Sequence, residues 1–136
     1  MGKRKDKAIE LHKNFYTCSQ SVACAFCDLI NVEPDIMKTA VLKYSGGAYN
    51  VCGAIMGAYV IANCLKRNVN FENTDDFISE NDPLLNEIKE RFRAKNSSIN
   101  CKDLKGLNGG PMLRSCRGCV EDAAEILEEL LNENLI

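Results

Sequence analysis

The stretch Val51-Cys52-Gly53-Ala54-Ile55-Met56-Gly57-Ala58-Tyr59-Val60-Ile61-Ala62-Asn63-Cys64-Leu65-Lys66 decides the fold. It is apolar or small on nearly all sides, so as a helix it needs neighbours all round it. Its apolar run from Gly53 to Leu65 falls short of the roughly 20 residues that span a bilayer and ends at Lys66-Arg67. The segment therefore predicts the central buried helix of a soluble protein, over about Val51 to Lys66.

Working outward, the pattern stays helical. Tyr44-Ser45-Gly46-Gly47-Ala48 is a break, because paired glycines favour backbone shapes that helices avoid. Before it, Pro34 suits the first turn of a helix from about Glu33 to Lys43. Earlier still, a dense apolar recurrence predicts a helix from Phe15 to Leu29, closed by Asp28, Asn31 and Pro34. The basic residues at 3 to 7 read as a solvated, frayed terminus, with His12 solvated nearby.

Downstream, Asn70 to Asp82 is polar and predicts a loop. Pro83 then opens a helix in which Leu84, Leu85, Ile88, Arg91 and Phe92 keep a three-to-four spacing. Ala94 to Ile99 reads as a linker and Cys101 to Leu104 as a short turn of helix. Gly106, Gly109, Gly110 and Pro111 make Leu107 to Met112 a loop. A last helix from about Ser115 to Leu131 carries Val120, Ala123, Ala124, Leu127 and Leu131 on one side. Its other side, with Glu121, Asp122, Glu125, Glu128 and Glu129, reads as solvated. No alternating run argues for a sheet. The expectation is an all-α fold, a single-domain compact bundle of about five helices over residues 1–136.

Composition narrows the chemistry. The chain has 136 residues, of which 8 are cysteine, yet it opens Met-Gly-Lys-Arg-Lys-Asp-Lys with no apolar run of a secretory signal behind it. A chain this long buries an ordinary core without disulfide staples. The thiols are therefore expected in a reducing cytoplasm, where repeated cysteine points to metal or redox chemistry. With 17 basic and 19 acidic residues the net charge is −2, which gives no electrostatic case for nucleic acid. No membrane insertion is expected.

Cysteine positions sort into groups. Cys18, Val22, Ala25 and Leu29 share one helical face. At ~100° per residue, Cys24 and Cys27 lie about 240° and 180° round from Cys18, so Cys18 and Cys27 cannot share a small site on an unbroken helix. Cys52 starts the central helix, and Cys64 is ~18 Å further along it by helical rise. Cys101 follows Asn100 and Cys116 follows Ser115, both plausible N-caps. A helix N-terminus favours a thiolate, or an anionic metal–thiolate cluster, through its unpaired amides and positive dipole end. On that argument Cys52, Cys101 and Cys116 should have lowered pKa values. Gly53 and Gly57 would let another backbone or a bulky inorganic ligand approach. Cys24-Ala-Phe-Cys27 and Cys116-Arg-Gly-Cys119 could in principle form a four-thiolate zinc site, although the first pair sits inside an apolar helix.

These elements resemble a known family. Cys52-Gly53-Ala54-Ile55-Met56-Gly57 matches the C-G-A-x-x-G element of the redox-active family called C_GCAxxG_C_C, small bacterial and archaeal proteins of about this length. Thr17-Cys18-Ser19-Gln20 looks like its Asn-Cys-Ala-Gln element. Asn100-Cys101-Lys102-Asp103-Leu104 and Cys116 with Val120-Glu121-Asp122-Ala123-Ala124-Glu125-Ile126-Leu127 are similar to its last two cysteine segments. The resemblance implies Cys18, Cys52, Cys101 and Cys116 as the functional set, with Cys24, Cys27, Cys64 and Cys119 as extras. The expected chemistry is a four-thiolate iron–sulfur cluster used for electron transfer, with Gly53 beside it. The alternatives are metal-free thiol–disulfide exchange by the same four cysteines and a structural zinc site. The expected partner is a redox protein, and a homodimer is kept open as the assembly.

Overall fold

The computed structural model describes residues 3–47, 51–67, 82–107, 109–134 and 136. Its helices are α1 (Lys3–Lys13), α2 (Cys18–Phe26), α3 (Pro34–Val41), α4 (Gly53–Arg67), α5 (Pro83–Asn96), α6 (Cys101–Lys105) and α7 (Cys116–Asn132). Two 3-10 stretches, Cys27–Ile30 and Leu42–Gly47, follow α2 and α3. No strand occurs among the described residues. The fold is all-α, with more helices than the about five expected.

Helix α4 is the centre, as its composition requires. Every residue from Val51 to Cys64 is buried, and α4 packs against α2, α5 and α7. Tyr59 and Asn63 are polar exceptions on it with partners. The Tyr59 hydroxyl donates to Asp82 Oδ2 at 2.6 Å and accepts from Asn63 Nδ2 at 3.5 Å. Asp82 also caps α5 by accepting from the Leu84 amide at 2.9 Å. The rest of the loop expected from Asn70 to Asp82 lies outside the described residues.

Contact between α2 and α4 is unusually close. A Cβ placed on Gly57 would stand 2.6 Å from the Ser19 carbonyl oxygen, and one on Gly53 would stand 2.8 Å from the Tyr44 carbonyl oxygen. Both glycines are therefore needed for the approach of other backbone.

The structure corrects several boundaries. Residues 3 to 7 are not frayed: α1 runs through them and packs on α7 and α2. Arg4 makes a two-pronged bond to Asp28 at 2.7 and 2.9 Å and donates to the Ala25 carbonyl at 2.8 Å. Ala8 is buried below, so a short amphipathic face outweighs the high charge of the segment. The helix expected from Phe15 starts instead at Cys18. Phe15 itself is 96% exposed with φ 71°, a left-handed joint between α1 and α2. Behind Cys18, Thr17 and Gln20 form a reciprocal capping box, which fixes the start. The Tyr44–Gly47 break is a 3-10 turn, and α5 extends to Asn96 before Ser97 ends it at φ 67°. Arg91 lies off the apolar stripe, bonded to Glu133 at 2.7 and 2.9 Å. Asp122 is not on a solvated face: it is buried, accepting from Asn96 Nδ2 at 3.0 Å and from Arg114 Nε at 3.1 Å.

Gly57→Ala should lower stability by about 1–3 kcal/mol, because the clash is with backbone that cannot swing aside. Gly110→Ala, where an added Cβ meets nothing within 4 Å, should change the chemical denaturation midpoint little.

Candidate functional site

The structure brings Cys18, Cys52, Cys101 and Cys116 to the wall of one cavity, which Leu104, Lys105 and Cys119 complete. Its volume is about 10 Å³, room for about one water molecule. Cys24, Cys27 and Cys64 do not line it. No disulfide joins any of the cysteines among the described residues.

Each of the four sulfurs is placed by a helix start. Cys18 is the first residue of α2, behind Thr17, whose Oγ1 accepts from the Gln20 amide at 3.3 Å. Thr17 is itself held: the Ser45 hydroxyl donates to it at 2.7 Å and lies 2.7 Å from Ser19 Oγ. Ser19 in turn donates to the Val41 carbonyl at 2.8 Å, tying α2 to the segment that leads to Cys52.

Cys52 immediately precedes α4, and its carbonyl accepts from Ile55 N at 3.0 Å. The backbone amides of Ala54 and Ile55 favour the thiolate form of its sulfur. Its own amide donates to the Ile99 carbonyl at 2.8 Å, joining α4 to the start of α6. Cys101 opens α6 behind Asn100, which accepts from Lys102 N at 2.9 Å. Cys116 opens α7 behind Ser115, which accepts from Gly118 N at 3.0 Å. The loop between α6 and α7 folds back, so that Leu113 N and Arg114 N donate to the Leu104 carbonyl at 2.9 and 3.1 Å.

Gly53 belongs to the site as well as to the packing. A Cβ there would lie 2.5 Å from Cys18 Sγ, so glycine at this position lets one site sulfur rest on the first turn of the helix that carries another.

Electrostatics overturn one expectation. The Cys52 thiol is held well above its ordinary pKa, not below it. A hydrogen bond with Cys119 is the main cause, followed by burial, and the Ala54 and Ile55 amides offset only part of this. Burial likewise pushes the Cys101 thiol up, reinforced by Cys52 and Cys116 and opposed by Lys105. In both cases desolvation and like neighbours outweigh what favours the thiolate, helix amides at Cys52 and Lys105 at Cys101. Lys105 is the cation of the site. Its ammonium donates to the Cys116 sulfur, which with the nearby charges of Cys101 and Cys18 holds its pKa above the ordinary lysine value. His12 is partly exposed and has a partner: it accepts from Arg117 Nε at 3.4 Å, and burial, then Arg117 and Lys105, lowers its pKa.

Two residues of the cavity escaped sequence reasoning. Cys119, set aside as an extra, is buried in the wall and hydrogen-bonded to Cys52. Lys105 was not considered at all. Signals for both existed, since Cys119 is three residues after Cys116 and Lys105 four after Cys101, spacings that share a helix face. The remaining cysteines are core. Cys24 Sγ donates to the Pro34 carbonyl at 3.6 Å and Cys27 Sγ to the Cys24 carbonyl at 3.4 Å. Burial pushes Cys24 up to about 12 and Cys64 up to about 11.

Among the described residues, no three His, Cys, Asp or Glu side chains converge tightly enough to hold a single metal ion. The donor chemistry suits an iron–sulfur cluster, whose ligand sulfurs are spread wider than those of one ion: four cysteines from four helix starts, with backbone amides already directed at the Cys52 sulfur.

Two outcomes follow. In brief alkylation of the native, reduced protein, the half-exposed Cys18, Cys101 and Cys116 should react first. Cys24 and Cys64 should lag by about tenfold or more. A thiol kept neutral by the fold adds stability below the ordinary thiol pKa near 9, and that stability is lost as pH rises towards the folded value. Denaturation midpoints should therefore fall from pH 8 to 11, with a shallower slope in Cys64→Ala.

No curated protein and no solved structure gives a match. No helix among the described residues is long and apolar enough to cross a membrane. Residues 16–130, which include every cysteine of the chain, match the family described as "Putative redox-active protein (C_GCAxxG_C_C)". The sequence elements that converge on this cavity are those of that pattern, and the chain belongs to the C_GCAxxG_C_C family.

Proposed function

We propose that this chain is a thiol redox protein in which Cys52 and Cys119 interconvert between dithiol and disulfide. Oxidation forms the Cys52–Cys119 S–S bond and passes two electrons and two protons to the disulfide of a partner, which becomes two thiols. The observation that carries this reading is that Cys52 and Cys119, both buried, stand on the wall of one cavity of about 10 Å³. A buried dithiol is slow to react with solvent oxidants, so it can retain its electrons until a partner disulfide is presented. A reducing compartment such as the cytoplasm, and a redox protein as partner, fit this role.

A second reading is favoured by the donor set. Cys18, Cys52, Cys101 and Cys116 would hold an iron–sulfur cluster, which would supply one-electron transfer. Since the cavity has room for about one water, binding a cluster requires the sulfurs to move apart.

One preparation separates the two. Anaerobically purified protein would be assayed for iron, sulfide and visible absorption, then equilibrated with thiol–disulfide buffers and mapped by peptide mass spectrometry. The thiol reading expects background iron and a reversible Cys52–Cys119 disulfide, abolished in Cys52→Ser. Stoichiometric iron and sulfide, lost in Cys52→Ser and retained in Cys64→Ser, would replace it with the cluster reading.

A further inference from the structure

Five thiols line the cavity, and they are not equivalent. Cys116 is half-exposed at the first turn of α7, whereas Cys119, one turn in, is buried. Cys52 is buried on the same wall. Lys105 is the lysine on the cavity wall among the described residues, and its charge acts on both Cys116 and Cys101. Cys18 and Cys101 are half-exposed as well, but Cys116 is the one of the three that shares a helix turn with a buried thiol of the cavity, Cys119, and it also lies near the Lys105 ammonium. Arg117 and His12 add a basic edge there, with Lys105 close enough to act on His12.

We propose that Cys116 is the attacking thiol of an internal relay that delivers the oxidation to the buried Cys52–Cys119 pair, with Lys105 as its positioning residue. The proposal rests on the thiol redox reading and adds direction to it. The substrate is a disulfide of a protein or small molecule.

Attack by the Cys116 thiolate on one substrate sulfur breaks the substrate S–S bond, and the first substrate thiolate leaves. Cys119 then gives its proton to water and attacks the Cys116 sulfur. The mixed disulfide breaks, and the second substrate thiolate leaves. The substrate has gained two electrons, and Cys116 and Cys119 are joined. Cys52 gives its proton to water and attacks Cys119, so that the Cys116–Cys119 bond breaks and Cys52–Cys119 forms with no further change in oxidation state. Cys116 departs as a thiolate next to the Lys105 ammonium. Lys105 thus serves the same sulfur twice, as nucleophile in the first step and as leaving group in the last.

The test is a single turnover of the full, reduced chain with one equivalent of dithiodipyridine, an uncharged aromatic disulfide whose thiopyridone product is coloured. The products are trapped in acid and mapped by mass spectrometry. Wild type should release two thiopyridones per probe and end as Cys52–Cys119. Cys119→Ser should release one and keep the thiopyridyl group on Cys116. Cys116→Ser should slow the first release about tenfold. Lys105→Met should slow it by about three- to tenfold, and Lys105→Arg should restore it, which a merely structural role would not predict. A Cys116→Ser protein that reacts at the wild-type rate, or a label found on Cys18 or Cys101 in Cys119→Ser, overturns the relay even while wild type still forms Cys52–Cys119. A wild-type protein that never forms Cys52–Cys119 overturns the underlying thiol reading instead.

Discussion

The Ser19 carbonyl oxygen stands 2.6 Å from where a side chain would begin on Gly57, and one turn earlier the Cys18 sulfur stands 2.5 Å from the same point on Gly53. Any larger residue at either position would push α2 away from α4. The approach has two results at once. It closes the core around α4, whose residues from Ala54 to Ala62 are almost fully buried. It also sets the sulfur of Cys18 on the first turn of the helix that Cys52 caps. Fold and site thus depend on the same contact, and the hydroxyl contacts of Thr17, Ser45 and Ser19 hold its edge in register.

Around that contact the electrostatics run against a simple dipole argument. Helix starts supply amides to sulfur, yet burial and thiol neighbours prevail at Cys52 and Cys101. What distinguishes the thiols is access and the placement of one ammonium. Lys105 reaches the site because α6 is short and its following loop turns back at Gly106, φ 76°, to bond the Leu104 carbonyl. Arg114, near the end of the same loop, is fixed by the buried Asp122. The segment carrying Cys101 and Lys105 is therefore secured at both ends.

Much of this was legible in the residues. The apolar run at 53–65 announced the central helix, and polar N-caps before Cys101 and Cys116 announced two of the helix starts. The start at Cys18 was equally written, as Thr17-x-x-Gln20, but the apolar residues around it favoured a longer helix, and Phe15 was drawn into it. Residues 3–13 misled because charge suggested solvent, whereas their anchors, Asp28, Glu125 and Glu128, are distant in sequence. The role of Cys119 depends on its contact with Cys52, which no local pattern reveals. The sign of the Cys52 shift depends on burial from elements on all sides, and so could only come from the assembled fold.

Cys18, Cys52, Cys101 and Cys116 lie at the beginnings of their helices, and Cys119 lies one turn in. Changes of length at the far ends of α2 and α7 therefore leave the sulfurs where they are, since the first turn is fixed by its own cap. A lineage of such proteins can lengthen, shorten or recombine these helices downstream and still inherit the same cluster of thiols. It cannot insert a single residue between a cap and its cysteine without rotating that sulfur by ~100° out of the cavity.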